Sequence, residues 1–390
     1  MYSSESRNRF ARSEAGLSLS HDSREVQLPV SVQIGLQCGC QLTPGRRMSV
    51  NADSTEPLWM PRVAVVGAGI SGLICARRLQ EQGFQVTVFE KSRSSSGRAA
   101  TRRVDLSLSF DHGAQYFTVR DPLFSQFVEA WVERGIVAVW TGRIVDIDGR
   151  TARPKTDQPV RYVGVPGMTA MARHLAASAA VQFETRITRL DRGENDWTLT
   201  DSAERTHGPF DHVVMSLPAP QTADLIPGHI LEDVVRAVPM TPCWAVLMGF
   251  ERRIELAWDG AFVQNSPLAW LARNSSKPGR DKSVDCWVLH ASPTWSAAHQ
   301  EDEPQLVQET LQAEFAQLTG SRLPPSIHFA AHRWLFSATP LSLDQQALFD
   351  PQSGLVVCGD WLASGRVEGA FRSGVAAADC LIGQIVRDSR

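Results

Sequence analysis

The 390-residue sequence predicts an α/β protein, a parallel dinucleotide-type sheet joined to an α+β region built on a mixed sheet. Three observations carry that expectation. A strand–glycine turn–helix–strand run opens at Pro61, and a second strand–glycine turn–helix run closes the chain from Gly354. Between about residues 240 and 340 the pattern changes to strand-length apolar runs dense in tryptophan.

The first run can be taken residue by residue. Arg62–Val66 is an apolar stretch of the kind that forms a strand buried on both faces. It feeds Gly67-Ala68-Gly69-Ile70-Ser71-Gly72, and a helical period follows from Ile70 to Gln82, with Leu73, Ala76 and Leu79 on one face and Gly83 as the stop. Gln85–Phe89 makes a second strand ending at Glu90. In this arrangement Gly67 permits the tight turn, Gly69 admits a pyrophosphate to the backbone, and Gly72 lets helix and strand pack closely. The helix, opening at Ile70, offers free N–H groups and a partial positive charge to phosphates. Glu90, 18 residues after Gly72, is placed to accept hydrogen bonds from ribose hydroxyls. A glycine turn without a ligand would have no use for that acid.

The following elements fit one discontinuous domain. Lys91 to Arg98 is a small-residue loop carrying cations, and the segment Phe110–Phe117 follows. Pro166–Ala176 reads as a helix, Val181–Leu190 as a strand, and Phe210–Pro218 as a strand stopped by proline. Near the end, Gly354–Cys358 is a strand, Gly359-Asp360 its turn, and Gly365 opens a helix running to about Val386. Glycines at 365, 369 and 374 would weaken that helix unless its backbone must approach something. The expected nucleotide domain comprises 60–120, 160–225 and 340–390, and the second domain 121–159 and 226–339. In the latter, Cys243–Phe250, Ala261–Gln264, Val284–Ala291 and Ser326–Leu335 read as strands and Pro304–Leu318 as a helix. Of Trp244, Trp258, Trp270, Trp287, Trp295 and Trp334, most are expected in the core, with one or two lining a flat pocket.

Bulk properties exclude several classes. A net charge of −3, with only four lysines among 39 basic residues, points to neither nucleic acid nor an anionic membrane as partner. No apolar run approaches the roughly 18 residues of a membrane span. Seven cysteines, an odd number without a secretory signal, suggest reduced thiols and a cytoplasmic protein. Cys38-Gly39-Cys40 lacks a second Cys/His pair, so no metal is expected. Residues 1–59 are polar, lack a sustained period, and match neither a signal nor a transit peptide. They read as a disordered leader, or as untranslated sequence before a start at Met48 or Met60.

The layout resembles amine-oxidase-type flavoproteins of the glutathione-reductase fold. The strings DHGAQYFTVRDPLF (111–124), SPLAWLARNSSKP (266–278), AHRWLFSATP (331–340) and CGDWLASGRVEGAF (358–371) are similar to bacterial renalases. The similarity runs from about Met60 to the C-terminus. It implies a Rossmann-like domain holding FAD non-covalently through Gly67, Gly69, Ile70, Gly72, Glu90, Lys91, Arg98, Gln115, Ile187, Asp360 and Val367. One departure is Ser96, where the family usually has the first of two glycines before the arginine. The terminal helix would direct its N-terminus at the flavin pyrimidine, where it stabilises negative charge.

Renalases oxidise the 2- and 6-dihydro isomers of NAD(P) and pass the electrons to dioxygen, giving hydrogen peroxide. The resemblance therefore implies those dinucleotides and O2 as partners, without a protein partner. Loss of hydride from a dihydropyridine gives a pyridinium directly, so no proton must leave and positioning carries the rate. No catalytic acid or base is expected, and His112, His290 and His332 read as structural. Tyr116, Phe117, Arg120, Cys243 and Arg366 are the substrate candidates. Two other readings stay open at this point: a flavin amine oxidase, and a flavin- or dinucleotide-binding sensor without turnover.

Overall fold

The computed structural model describes residues 60–388 except Ser342, Asp344 and Ser364. The leader, with Cys38, Cys40 and Met48, lies outside the described residues. A six-stranded sheet runs in the order Leu348–Asp350, Leu355–Val357, His212–Met215, Arg62–Val66, Gln85–Phe89, Ala180–Gln182. All neighbours are parallel except the first pair, which is an antiparallel edge hairpin. Val63, Val65, Val88, Val214 and Val356 are shut away from solvent, which explains the unbroken apolar runs of these strands.

The helices Ile70–Glu81 and Arg366–Asp388 share one core with this sheet. Their contact explains the glycines of the terminal helix. A Cβ on Gly374 would strike the Ser71 carbonyl and lie 3.1 Å from Ile74 Cβ, while one on Gly369 would strike the Ala363 carbonyl. What these glycines let the helix backbone approach is therefore other backbone.

A seven-stranded mixed sheet runs Ser326–Ala338, Thr241–Phe250, Asp285–Ala291, Leu268–Arg273, Gly260–Gln264, Ile144–Asp148, Thr151–Pro154. Only Gly260–Gln264 and Ile144–Asp148 pair in parallel. The helix Pro304–Thr319 lays Val307, Leu311, Phe315 and Leu318, spaced at three and four residues, onto the core of Trp244, Trp258 and Trp287.

Two expected elements are divided and a third is shortened. Val181–Leu190 is two strands, Ala180–Gln182 and Ile187–Arg192, because Glu184 takes φ 54° between them. Phe210–Pro218 also splits: Thr206–Phe210 joins a three-stranded antiparallel sheet, and His212–Met215 joins the parallel one. Asp211 sits at the switch, its amide donating to the Arg62 carbonyl and its carboxylate accepting from the Arg62 amide. The helix expected from Pro166 starts at Ala170, since the amides of Met168 and Thr169 donate to the side chains of Asp111 and Thr101.

Candidate active site

A cavity of about 1180 Å³ is lined by the carboxyl ends of the parallel strands on one side and by the mixed sheet on the other. Single drug-sized ligands occupy roughly 300–1,000 Å³, so this space suits a large cofactor together with a substrate. At its nucleotide end, Gly67 has φ 111°, and a Cβ there would sit 2.5 Å from the Ser216 carbonyl oxygen. A Cβ on Gly72, which does not itself line the cavity, would strike the Gly67 carbonyl. A Cβ on Gly69, by contrast, would meet nothing within 4 Å. The turn is thus closed on its protein side and open on its cavity side, the shape a bound pyrophosphate requires.

Glu90 is buried, and its two oxygens accept from the amides of Ala68 and Ser92, each at 2.9 Å. Its carboxylate therefore fastens the glycine turn to the next loop while lining the cavity. Ile70, Lys91, Ile187 and Val367 line it as well. Arg98 donates to Asp360 Oδ1 at 2.5 Å and to the Ser337 carbonyl at 3.2 Å, joining three distant segments at the cavity wall. These residues fit FAD: a backbone cradle, an acid at the ribose position and cations along the wall.

At the other end, Tyr116, Cys243 and Arg366 line the cavity with Phe262, Trp270, His290 and Trp334. The Trp270 ring lies 5.3 Å from Tyr116 and 4.6 Å from Phe262, centroid to centroid, making a continuous aromatic wall. Arg366 holds φ 69°, unusual for a residue with a side chain. Burial pushes the Cys243 thiol up to about 12, so it is a neutral group.

Two expected substrate residues do not line this cavity. Phe117 is buried behind Tyr116, its ring 5.7 Å from those of both Tyr162 and Phe124. Neighbours on an extended segment face opposite ways, so Tyr116 and Phe117 cannot both reach the cavity. Arg120 is exposed and lines a separate, smaller depression.

Beneath the aromatic wall is a buried charged cluster that motif reading passed over. Lys277 Nζ donates to Asp111 Oδ2, Gln115 Oε1 and Asn274 Oδ1 at 3.0, 2.9 and 2.9 Å, which satisfies all three ammonium protons. Arg280 donates to the same Asp111 oxygen at 2.5 Å. Burial pushes the Asp111 carboxyl upward, but Lys277 and Arg280 outweigh it and hold the group well below the ordinary carboxylate range. Burial also draws Lys277 down to about 8. The advance signals were Asp111 and Gln115 in the 111–124 string and Asn274 and Lys277 in the 266–278 string, with nothing to show that they meet.

The cluster orients Gln115, whose Nε2 donates to the Asp111 carbonyl at 2.6 Å and lies 3.3 Å from His290 Nε2. That histidine nitrogen is also 3.1 Å from the His112 carbonyl. His290 Nε2 thus faces one donor and one acceptor and serves one of them according to its tautomer. Burial lowers His290 and His112 to about 4, keeping both neutral near pH 7.

The fold and this site define a flavin-dependent oxidoreductase. Residues 65–131 match the NAD(P)-binding Rossmann-like domain, and residues 145–382 match the flavin containing amine oxidoreductase family. The latter spans more than half of the chain, which belongs to that family. The chain is 23% identical to mouse renalase over 350 residues, covering 83% of this chain and 99% of renalase, and it is a renalase-like flavoprotein. It is also 27% identical over 205 residues to the bifunctional tRNA 5-methylaminomethyl-2-thiouridine biosynthesis protein MnmC of Magnetococcus marinus, covering 42% of this chain and 30% of that one. Among solved structures, wild-type putrescine oxidase bound to putrescine shares the fold with a TM-score of 0.64 at 13% identity, covering 83% of this chain and 99% of that one. The cofactor is FAD. No helix among the described residues is long and apolar enough to cross a membrane.

Proposed function

We propose that the protein oxidises the 2- and 6-dihydro isomers of NAD(P) to NAD(P)+ and delivers the electrons to dioxygen as hydrogen peroxide. The observation that carries this reading is the charge of the cavity wall. Six cationic side chains line it, Lys91 and Arg98 on the FAD side and Arg102, Arg186, Arg333 and Arg366 besides, against the acids Glu90, Asp224 and Asp360. Each acid is already engaged, by backbone amides, by Arg236 and by Arg98 respectively. Such a lining favours an anionic dinucleotide over a cationic amine.

Bound FAD supplies the hydride acceptor and the route to oxygen. The chain supplies position. Tyr116, Trp270 and Phe262 offer a flat apolar wall to a dihydropyridine ring. Because hydride loss yields the pyridinium directly, the neutral His112, His290 and Cys243 have no proton to move.

On this reading FAD contacts Gly67, Gly69, Ile70, Glu90, Lys91, Arg98, Gln115, Ile187, Asp360 and Val367, within segments 60–120, 160–225 and 340–390, while Gly72 closes the turn behind it. Residues 121–159 and 226–339 carry the substrate side. A cytoplasmic setting accords with the five free cysteines among the described residues. Product analysis in aerated buffer tests the reaction: one equivalent each of NAD(P)+ and peroxide is expected per dihydro isomer consumed. A product other than NAD(P)+ would sink the proposal.

A second reading, amine oxidation, is favoured by the Tyr116–Trp270–Phe262 wall, which suits an uncharged amine equally well.

A further inference from the structure

Beside the main cavity lies a depression of about 360 Å³. Thr118, Arg120 and Asp121 line it from one segment, and Arg366, Glu368 and Arg372 from the terminal helix. Both segments also serve the main cavity, since Tyr116 and Arg366 line it. The two spaces thus share Arg366.

Its charges are not balanced. Glu368 Oε2 accepts the backbone amides of Arg120 and Asp121 at 2.6 and 3.0 Å. Asp121 caps the helix Pro122–Glu133 by accepting from the Phe124 amide at 2.9 Å, and its second oxygen lies 3.8 Å from Arg372 Nε. Both acids are occupied, whereas Arg120 and Arg366 have no ion pair among the described residues. Forked guanidinium donors lining one depression without a carboxylate partner match the oxygens of a phosphate.

We propose that this depression is the phosphate subsite of the substrate, with Arg120, Arg366 and Arg372 gripping the pyrophosphate of a reduced nicotinamide dinucleotide whose ring lies against Tyr116 and Trp270. The inference rests on the dihydropyridine reading above. The flat wall selects the ring, and the arginines select the nucleotide over the free riboside.

The test is turnover of the FAD-loaded enzyme with 6-dihydroNAD and with the corresponding dihydronicotinamide riboside, in wild type, Arg120→Ala, Arg120→Glu and Arg372→Ala. Retained flavin absorbance reports that each variant is folded and loaded. The ratio of kcat/KM for dinucleotide to that for riboside should fall about tenfold in each alanine variant, and further on charge reversal. The loss should reside in KM. An unchanged ratio in variants of an enzyme whose wild type oxidises both compounds overturns the subsite alone. If the wild type oxidises neither compound, the dihydropyridine reading fails and the subsite falls with it.

Discussion

Lys277 Nζ donates to Gln115 Oε1 at 2.9 Å, linking residues 162 positions apart in a spot where neither the ammonium nor Asp111 beside it touches solvent. The bond sets which end of the Gln115 amide points toward His290. A buried lysine thus orients a side chain of the cavity wall.

Removing that lysine should be costly. Lys277→Met leaves the Asp111 carboxylate with Arg280 as its sole cation and frees the Gln115 amide. Breaking a buried pair from one side costs roughly 3–5 kcal/mol. Urea unfolding of the FAD-loaded variant should show a loss of about that size. A loss below about 1 kcal/mol would mean that water already solvates the cluster.

The buried histidines make acid the vulnerable side. His112 and His290 are held near 4, below the ordinary 6.5, so between those values the unfolded chain takes up protons that the folded chain refuses. The stability they contribute is complete above about pH 6.5 and is lost as pH falls toward 4, on the order of 2 kcal/mol for each by pH 4.5. Denaturation midpoints across this range check it. His290→Gln should flatten the decline by about one proton, and a curve parallel to wild type would contradict the assignment.

Glycine substitutions should separate folding from cofactor binding. At Gly67, φ 111° and the Ser216 carbonyl oppose any side chain, so Gly67→Ala should destabilise the protein itself. Gly69→Ala meets no protein atom within 4 Å, so the chain should fold normally yet bind FAD more than tenfold more weakly. Apoprotein stability and FAD titration measure the two effects. Equal FAD affinity in Gly69→Ala would remove the pyrophosphate from that turn.

Cys243 should be chemically silent. With its thiol near 12, flavin reduction by substrate in Cys243→Ala should follow the same pH profile as wild type between pH 7 and 9. A lost ionisation in that interval would show that the residue acts as a thiolate.

How far the sequence could be read depended on how local each feature is. The turn Gly67–Gly72 and Glu90 belong to one continuous run, so spacing alone located them. The Asp111–Lys277–Arg280 cluster joins partners 166 and 169 positions apart, and spacing carries no trace of it. Phe117 and Tyr116 are adjacent and both aromatic, yet strand alternation sends one to the core and the other to the cavity. The aromatic density between 240 and 340 was plain, but only the fold separates Trp270 at the cavity from Trp287 in the core. Glu184, with its left-handed backbone, broke a strand that its side-chain pattern would have allowed.

The central claim concerns what reduces the flavin. Anaerobic stopped-flow mixing of the FAD-loaded protein with 2- and 6-dihydroNAD(P), beside a panel of amines, follows bleaching of the flavin absorbance directly. Bleaching by the dihydropyridines within seconds, with amines slower by orders of magnitude, is the predicted result. Rapid bleaching by an amine with inert dihydropyridines would contradict the account and establish an amine oxidase, and no bleaching by either would point to a sensor without turnover.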